Sequence, residues 1–157
     1  MRKRLITPTP EKIRTRAEGW LDIERAAVVE VTSEDGDCPI ESAFNSGVAR
    51  GWRAAEPGVQ TIRLVFDQPQ RLKCISLVFE ENETARTQEF VLRWSPDGGS
   101  LIKEIVPQQW TFSPPASIRE VEEYQVQLSA VTVLELTINP NISGGDARAS
   151  LQNLRLS

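Results

Sequence analysis

Gln88-Glu89-Phe90-Val91-Leu92-Arg93-Trp94-Ser95-Pro96-Asp97-Gly98-Gly99 reads as a strand running into a tight turn. Phe90, Leu92 and Trp94 fall on one face at a spacing of two, with Glu89, Val91 and Arg93 on the other. Proline then presets φ, the aspartate side chain bonds back to the chain, and glycine accepts positive φ. The flanking segments have the same character and read as partners for this strand. Ile62, Leu64 and Phe66 share a face, as do Ile75, Leu77 and Phe79. Tyr124, Val126 and Leu128 are followed, across Ser129-Ala130, by Leu134, Leu136 and Ile138. Between the first two segments Asp67-Gln68-Pro69-Gln70 reads as a turn. Ser129-Ala130 reads as the link of a hairpin.

Beyond this stretch, Val28 to Thr32 is a first strand and Leu151 to Leu156 a last one. Pro107 interrupts the strand from Ile102 to Phe112, which marks an edge or a bulge. Short strands separated by turn signals, with no helical repeat between them, predict an all-β antiparallel sandwich over residues 28–157. Residues 1–27 read as an N-terminal arm packing on that domain. Thr9-Pro10-Glu11 looks like a helix start, and the helix would run to Glu18. Trp20, Leu21 and Ile23 would then cover one end of the sheet. Six basic side chains and one acidic one in residues 1–16 form either an arm for an acidic partner or a solvated lead-in.

The chain has 157 residues and a formal charge of −4. That length can bury a core without a disulfide or metal. The missing basic excess argues against a nucleic-acid partner. There is no histidine. That removes the commonest general base and metal ligand, together with any Ser-His or Cys-His pair. Cys38 and Cys74 are far apart and in no metal-type spacing, so both are expected to be free thiols in a reducing compartment. No apolar run reaches the ~20 residues of a membrane helix. The expectation is a cytoplasmic protein with no membrane partner.

The order of features resembles one family. Pro39-Ile40-Glu41-Ser42-Ala43-Phe44 leads to Arg50-Gly51-Trp52-Arg53. Gly58 to Pro69 follows, containing Gln60-Thr61-Ile62-Arg63-Leu64, and then the strand Leu72 to Phe79. The turn Ser95-Pro96-Asp97-Gly98 comes next, and a leucine-rich strand closes the chain. This is similar to the discoidin, or coagulation-factor C-domain, family of galactose-binding-like jelly rolls, over roughly residues 28 to 156. The resemblance implies the jelly-roll fold first. It implies non-catalytic binding second, through loops at one end of the sandwich. Many relatives carry Asp-Gly-Asn where this chain has Phe44-Asn45-Ser46-Gly47. Asn45 and Ser46 are weaker calcium ligands than aspartate, so the resemblance implies a structural calcium only weakly, and no other cofactor is expected.

A sugar site needs an aromatic face and planar polar groups. Five residues are candidates for ligand binding: Arg50, Trp52, Arg53, Glu83 and Arg86. Trp52 is either a stacking platform or, as at the matching position of relatives, a core residue. Arg53 is freer to face a ligand. Glu83, Arg86 and Gln88 surround the start of the Phe90 strand, where a basic residue of sugar-binding relatives often reaches the ligand. Their alternative is a surface loop with a weak ion pair. Trp94 reads as core, and Trp110 as core or exposed patch. Adjacent carboxylates such as Glu80-Glu81 and Glu122-Glu123 point to opposite faces of a strand and would not converge as a glycosidase pair. The expected function is recognition of a carbohydrate or similar polar ligand without catalysis. The alternative is a protein-interaction module or homo-oligomer.

Overall fold

A computed structural model describes residues 19–44 and 50–157. The basic segment 1–16, the helix expected from Pro10 to Glu18, and Asn45 to Gly47 lie outside the described residues. A single helical turn, α1 (Ile23–Ala26), leads directly into β1 (Ala27–Val31). Leu21 N–H donates to Leu156 O at 2.7 Å, and Ile23 is buried. Residues 21–23 are thus tied to the body of the sheet and its last strand.

Two strands build most of the sheet. β3 (Gln60–Glu80) and β6 (Arg119–Asn139) each hold 21 residues. At about 3.3 Å per residue such a strand would be roughly 70 Å long if straight. A compact domain of this size is only about 40 Å across, so both strands must bend. The β3–β6 register shifts between Val65 and Gln70, Gln70 and Leu72, and Leu72 and Cys74. Before the shifts, β3 pairs with β1 and with Val133–Ile138 of β6. After them it pairs with β8 (Asn153–Leu156) and with Arg119–Gln125. β4 (Arg86–Ser95) joins the later half of β6, and β5 (Lys103–Phe112) lies outside β4.

Three readings of the sequence are corrected here. Asp67 to Gln70 does not reverse the chain, because both halves of β3 pair with β6 and not with each other. Pro69, lacking an N–H, is tolerated where the ladder is already interrupted. Ser129-Ala130 is likewise no hairpin link but the middle of β6. A two-residue hairpin needs positive φ that Ser-Ala does not supply. The Leu72–Phe79 segment is also not a neighbour of β4. It faces β4 from the opposite layer, with the rings of Phe79 and Phe90 stacked at 5.2 Å between centroids.

The core lies between these layers. Ile62, Leu64 and Phe66 meet Ile75, Leu77 and Phe79, with Phe90, Leu92, Leu134, Leu136 and Ile138. The predicted alternation holds at each of these positions. Trp94 is half-buried at the core margin, with Lys103 Nζ 5.2 Å from its ring centroid. Trp110 is exposed on β5, the edge strand that carries Pro107. β4 ends at Ser95 as predicted. Gly99 N–H donates to Ser95 Oγ at 2.9 Å and Leu101 N–H to Asp97 Oδ1 at 2.8 Å. The Leu101 amide and the Ser95 hydroxyl hold the Asp97 carboxyl below its usual range. Cys38 is half-buried and Cys74 buried, and no disulfide joins them.

Candidate functional site

At the end of the sandwich where β3 stops and β4 starts, three loops enclose a cleft of about 470 Å³. Its lining includes Arg50, Trp52 and Arg53, then Glu80 to Thr84, and then Asp146, Arg148 and Gln152. Four of the five candidate residues therefore converge: Arg50, Trp52, Arg53 and Glu83. The fifth, Arg86, does not line the cleft and is buried beneath it.

The Trp52 wall is built by a two-stranded ribbon of β2 (Trp52–Arg53) and β7 (Ser150–Leu151). The Trp52 indole N–H donates to Ser33 O at 3.0 Å, and the residue is 1 % exposed. Its ring is an anchor and offers no open stacking face. Arg53 is clamped through its backbone: its N–H donates to Cys38 O, and its C=O accepts from Asp35 N–H at 2.8 Å. Its side chain is left exposed.

Gly51 makes the ribbon possible. Its φ is +79°, and a Cβ there would sit 2.6 Å from Leu151 O and 2.7 Å from Gln152 Cα. Both are backbone atoms that cannot step aside. A side chain at such a φ costs ~1–3 kcal/mol before any clash. We expect Gly51→Ala to lower Tm by roughly 5 °C or more in a thermal melt. A melt within about 1 °C of the parent would show that the ribbon rearranges freely.

The opposite wall is the β3–β4 loop, and Glu81 holds it. Glu81 Oε2 accepts the N–H of Glu83 at 3.0 Å and of Thr84 at 3.1 Å. Its Oε1 accepts Arg86 Nε at 2.7 Å. Partial burial pushes the Glu81 carboxyl up, but the Arg86 bond and the two amides outweigh it, and the net shift is downward. Arg86 also donates Nη1 to Pro140 O at 2.8 Å and lies over the Phe112 ring at 4.9 Å from its centroid. The placement has a simple cause. Arg86 and Gln88 precede Phe90 and Leu92 at a spacing of two, so they share the inward face. The sequence reading placed them at the entry of the strand and did not extend its alternation back to Arg86.

Behind Arg86 lies a second polar group that the sequence reading missed. Gln88 Nε2 donates to Glu120 Oε1 at 3.0 Å, and both residues are fully buried. Burial pushes the Glu120 carboxyl up to about 8; neighbouring Glu122 adds to this, and Gln88 and Arg86 partly offset it. Burial likewise pushes the Tyr124 phenol above its usual value, with Glu122 and Glu120 adding. The sequence signal was available: Glu120, Glu122 and Tyr124 alternate on one strand face, whereas only adjacent acids were weighed. For Asp146, Arg148 and Gln152 no signal was available, since a loop between distant strands has no periodicity to read.

The strand order, the bent β3 and β6, and the end-on cleft define an antiparallel β-sandwich. No protein-family model and no curated protein sequence matches the chain. Solved structures do. The family 32 carbohydrate-binding module of C. perfringens NanJ, in complex with galactose, is 13 % identical, with a TM-score of 0.64. The match covers 85 % of this chain and 95 % of that one. The CBM32 of AlyQ, in complex with 4,5-unsaturated mannuronic acid, is 17 % identical at a TM-score of 0.62, over 88 % and 97 % of the two chains. Reduced XRCC1 bound to the DNA pol beta catalytic domain is 13 % identical at 0.59, over 85 % and 95 %. At these identities the likeness establishes the fold.

Proposed function

We propose that this chain is a non-catalytic module that binds a carbohydrate in the cleft between the Arg50–Arg53 segment and the Glu81–Thr84 loop. The observation that carries this reading is convergence. Residues separated by about a hundred positions in sequence place several polar side chains around one concavity. A small-molecule site has this form: a concave surface with a few polar groups that fix orientation. Guanidinium and carboxylate groups recognise sugar hydroxyls by hydrogen bonds. Two jelly rolls of the same fold hold a galactose and an unsaturated mannuronic acid. Catalysis is disfavoured by the chemistry present. The chain has no histidine, and the carboxyl with the strongly raised pKa, Glu120, is buried away from the cleft lining.

Titration with a panel of mono- and oligosaccharides, followed by tryptophan fluorescence, tests the reading, because Trp52 lies in the cleft wall. A saturable change is expected with at least one sugar, and Arg53→Ala should weaken it about tenfold or more without shifting Tm. No response across the panel would remove the proposal.

A second reading rests on β5. It is the sheet edge and exposes Trp110, with Leu101 and Ile102 just before it. An open edge bearing an exposed aromatic suits protein docking, and XRCC1 of similar fold is bound to a protein. A concentration-dependent mass in sedimentation that Trp110→Ser abolishes would favour it.

A further inference from the structure

We propose that the sugar held in this cleft is anionic, carrying a carboxylate or a sulfate ester that the guanidinium groups of Arg50, Arg53 and Arg148 receive. This rests on the carbohydrate reading above and narrows it.

The first argument is charge. Seven ionisable side chains of opposite sign line the cleft: three arginines against Glu80, Glu81, Glu83 and Asp146. Two of the acids are already engaged. Glu80 Oε2 accepts Arg119 Nη1 at 2.7 Å, and Glu81 is held by Arg86 from below. Among the described residues, Arg50, Arg53 and Arg148 have no ion-pair partner. Three uncommitted cations therefore face two uncommitted acids, in a chain whose overall charge is −4. Counted with Arg119 and Arg86, which neutralise Glu80 and Glu81, the cleft region holds five cations against four acids, a net +1. All three arginines are exposed, so a ligand need not first break a buried pair to reach them.

The second argument is the missing stacking face. A neutral pyranose gains much of its affinity by laying its apolar side on an aromatic ring. Trp52 is the aromatic residue of the lining and is 1 % exposed. Polar contacts must then supply the affinity. Hydrogen bonds between neutral groups contribute little net free energy in water, whereas charge-assisted ones are about twice as strong. A planar guanidinium matches the two oxygens of a carboxylate or sulfate in a bidentate pair. Glu83 and Asp146 remain to accept ring hydroxyls. The volume lies within the ~300–1,000 Å³ usual for small-molecule sites.

Calorimetric titration with hexuronate oligomers, length-matched neutral hexose oligomers and sulfated hexose oligomers tests this. The anionic ligands are expected to bind about tenfold or more tighter than the neutral ones at low salt. That advantage should shrink several-fold as salt shortens the reach of exposed charges. Arg53→Gln and Arg148→Gln should each cost about tenfold with anionic ligands, several-fold more than they cost with neutral ones, and leave Tm unchanged. Arg53→Lys, which keeps the charge but loses the fork, should recover only part. Preference for the uronate or the sulfate arm supports the assignment and tells which group is read. Neutral oligomers binding as tightly, with the Arg→Gln variants unaffected, would overturn it while leaving carbohydrate binding standing. Silence of all three arms would overturn both.

Discussion

Replacing Arg86 by methionine is expected to destabilise the protein by about 3 kcal/mol and to loosen the cleft wall at the same time. Methionine matches the length of the arginine stem and fills its space, so the loss comes from polar contacts and not from a cavity. Four contacts disappear: the 2.7 Å bond to Glu81, the 2.8 Å bond to Pro140 O, the 3.4 Å bond to Gln88 Oε1, and the cation over the Phe112 ring. Breaking one side of a buried ion pair costs ~3–5 kcal/mol, largely because the remaining partner is stranded. The lower end applies, because the Glu81 side chain keeps 19 % of its surface in water and retains two amide donors. The corresponding fall in Tm is about 6–12 °C for a chain of this length.

Arg86→Lys should recover only part of this, since one ammonium does not serve Glu81 and Pro140 O with the geometry of the fork. Hydrogen exchange at the Glu83 and Thr84 amides supplies a local readout, and both should exchange faster in Arg86→Met. Arg86 would thus act on ligand affinity as a positioning residue. The pH dependence has a definite sign. The Glu81 carboxyl is held below its ordinary value of 4.5. Its contribution is therefore present above that pH and lost as acid protonates it, and Arg86→Met should flatten this acid limb. A variant within about 1 kcal/mol of the parent, with unchanged exchange at both amides, would sink the account.

The contrast between Arg86 and Arg53 shows what the sequence discloses. Strand faces were legible because a pleated strand alternates strictly and the core is filled mostly by apolar groups. Ile62, Leu64, Ile75, Leu77, Phe90 and Leu92 were assigned by that rule alone, and all are buried. The turn after Ser95 was legible because its chemistry is local. What failed was the pairing. Nothing in the alternation of Gln60 to Glu80 tells whether Asp67 to Gln70 turns the chain back or bends it onward, since both outcomes bury the same residues. The partner strand decides, and it lies some sixty residues away.

The site was legible in proportion to its distance from a strand. Arg53 was singled out from an aromatic-basic cluster and Glu83 from the entry of an assignable strand, and the fold brings both to one cleft. Arg86 was misplaced by one register step: two more residues of alternation put it on the core face. Arg148 and Asp146 meet the others only after the chain has crossed both layers, and no local pattern reports that.

Glu120→Gln is expected to have the opposite effect to Arg86→Met, raising stability at neutral pH by about 2–4 kcal/mol. Glu120 is fully buried and accepts one hydrogen bond, from Gln88. Its other oxygen has no partner among the described residues. The groups facing it are Glu122 and Tyr124 on its own strand and Arg86 and Gln88 on β4. With the folded-state value raised from 4.5 to about 8, the native state keeps a proton that the unfolded chain has already released. The Glu120 contribution to stability is then greatest below pH 4.5 and falls as pH rises through this window. The slope reaches at most ~1.4 kcal/mol per pH unit, and the loss is complete above pH 8. Glutamine is a neutral isostere. It keeps an oxygen for Gln88 Nε2 and turns an N–H₂ towards the Glu122 carboxylate, so no proton needs to be held. Denaturant melts of the two proteins at pH 5, 6, 7 and 8 should diverge steadily, with the parent falling and the variant nearly level. This window lies above the acid limb set by Glu81, so the two effects separate on one axis. Parallel curves would mean that Glu120 is ionised in the folded protein, with the Arg86 guanidinium compensating for its burial.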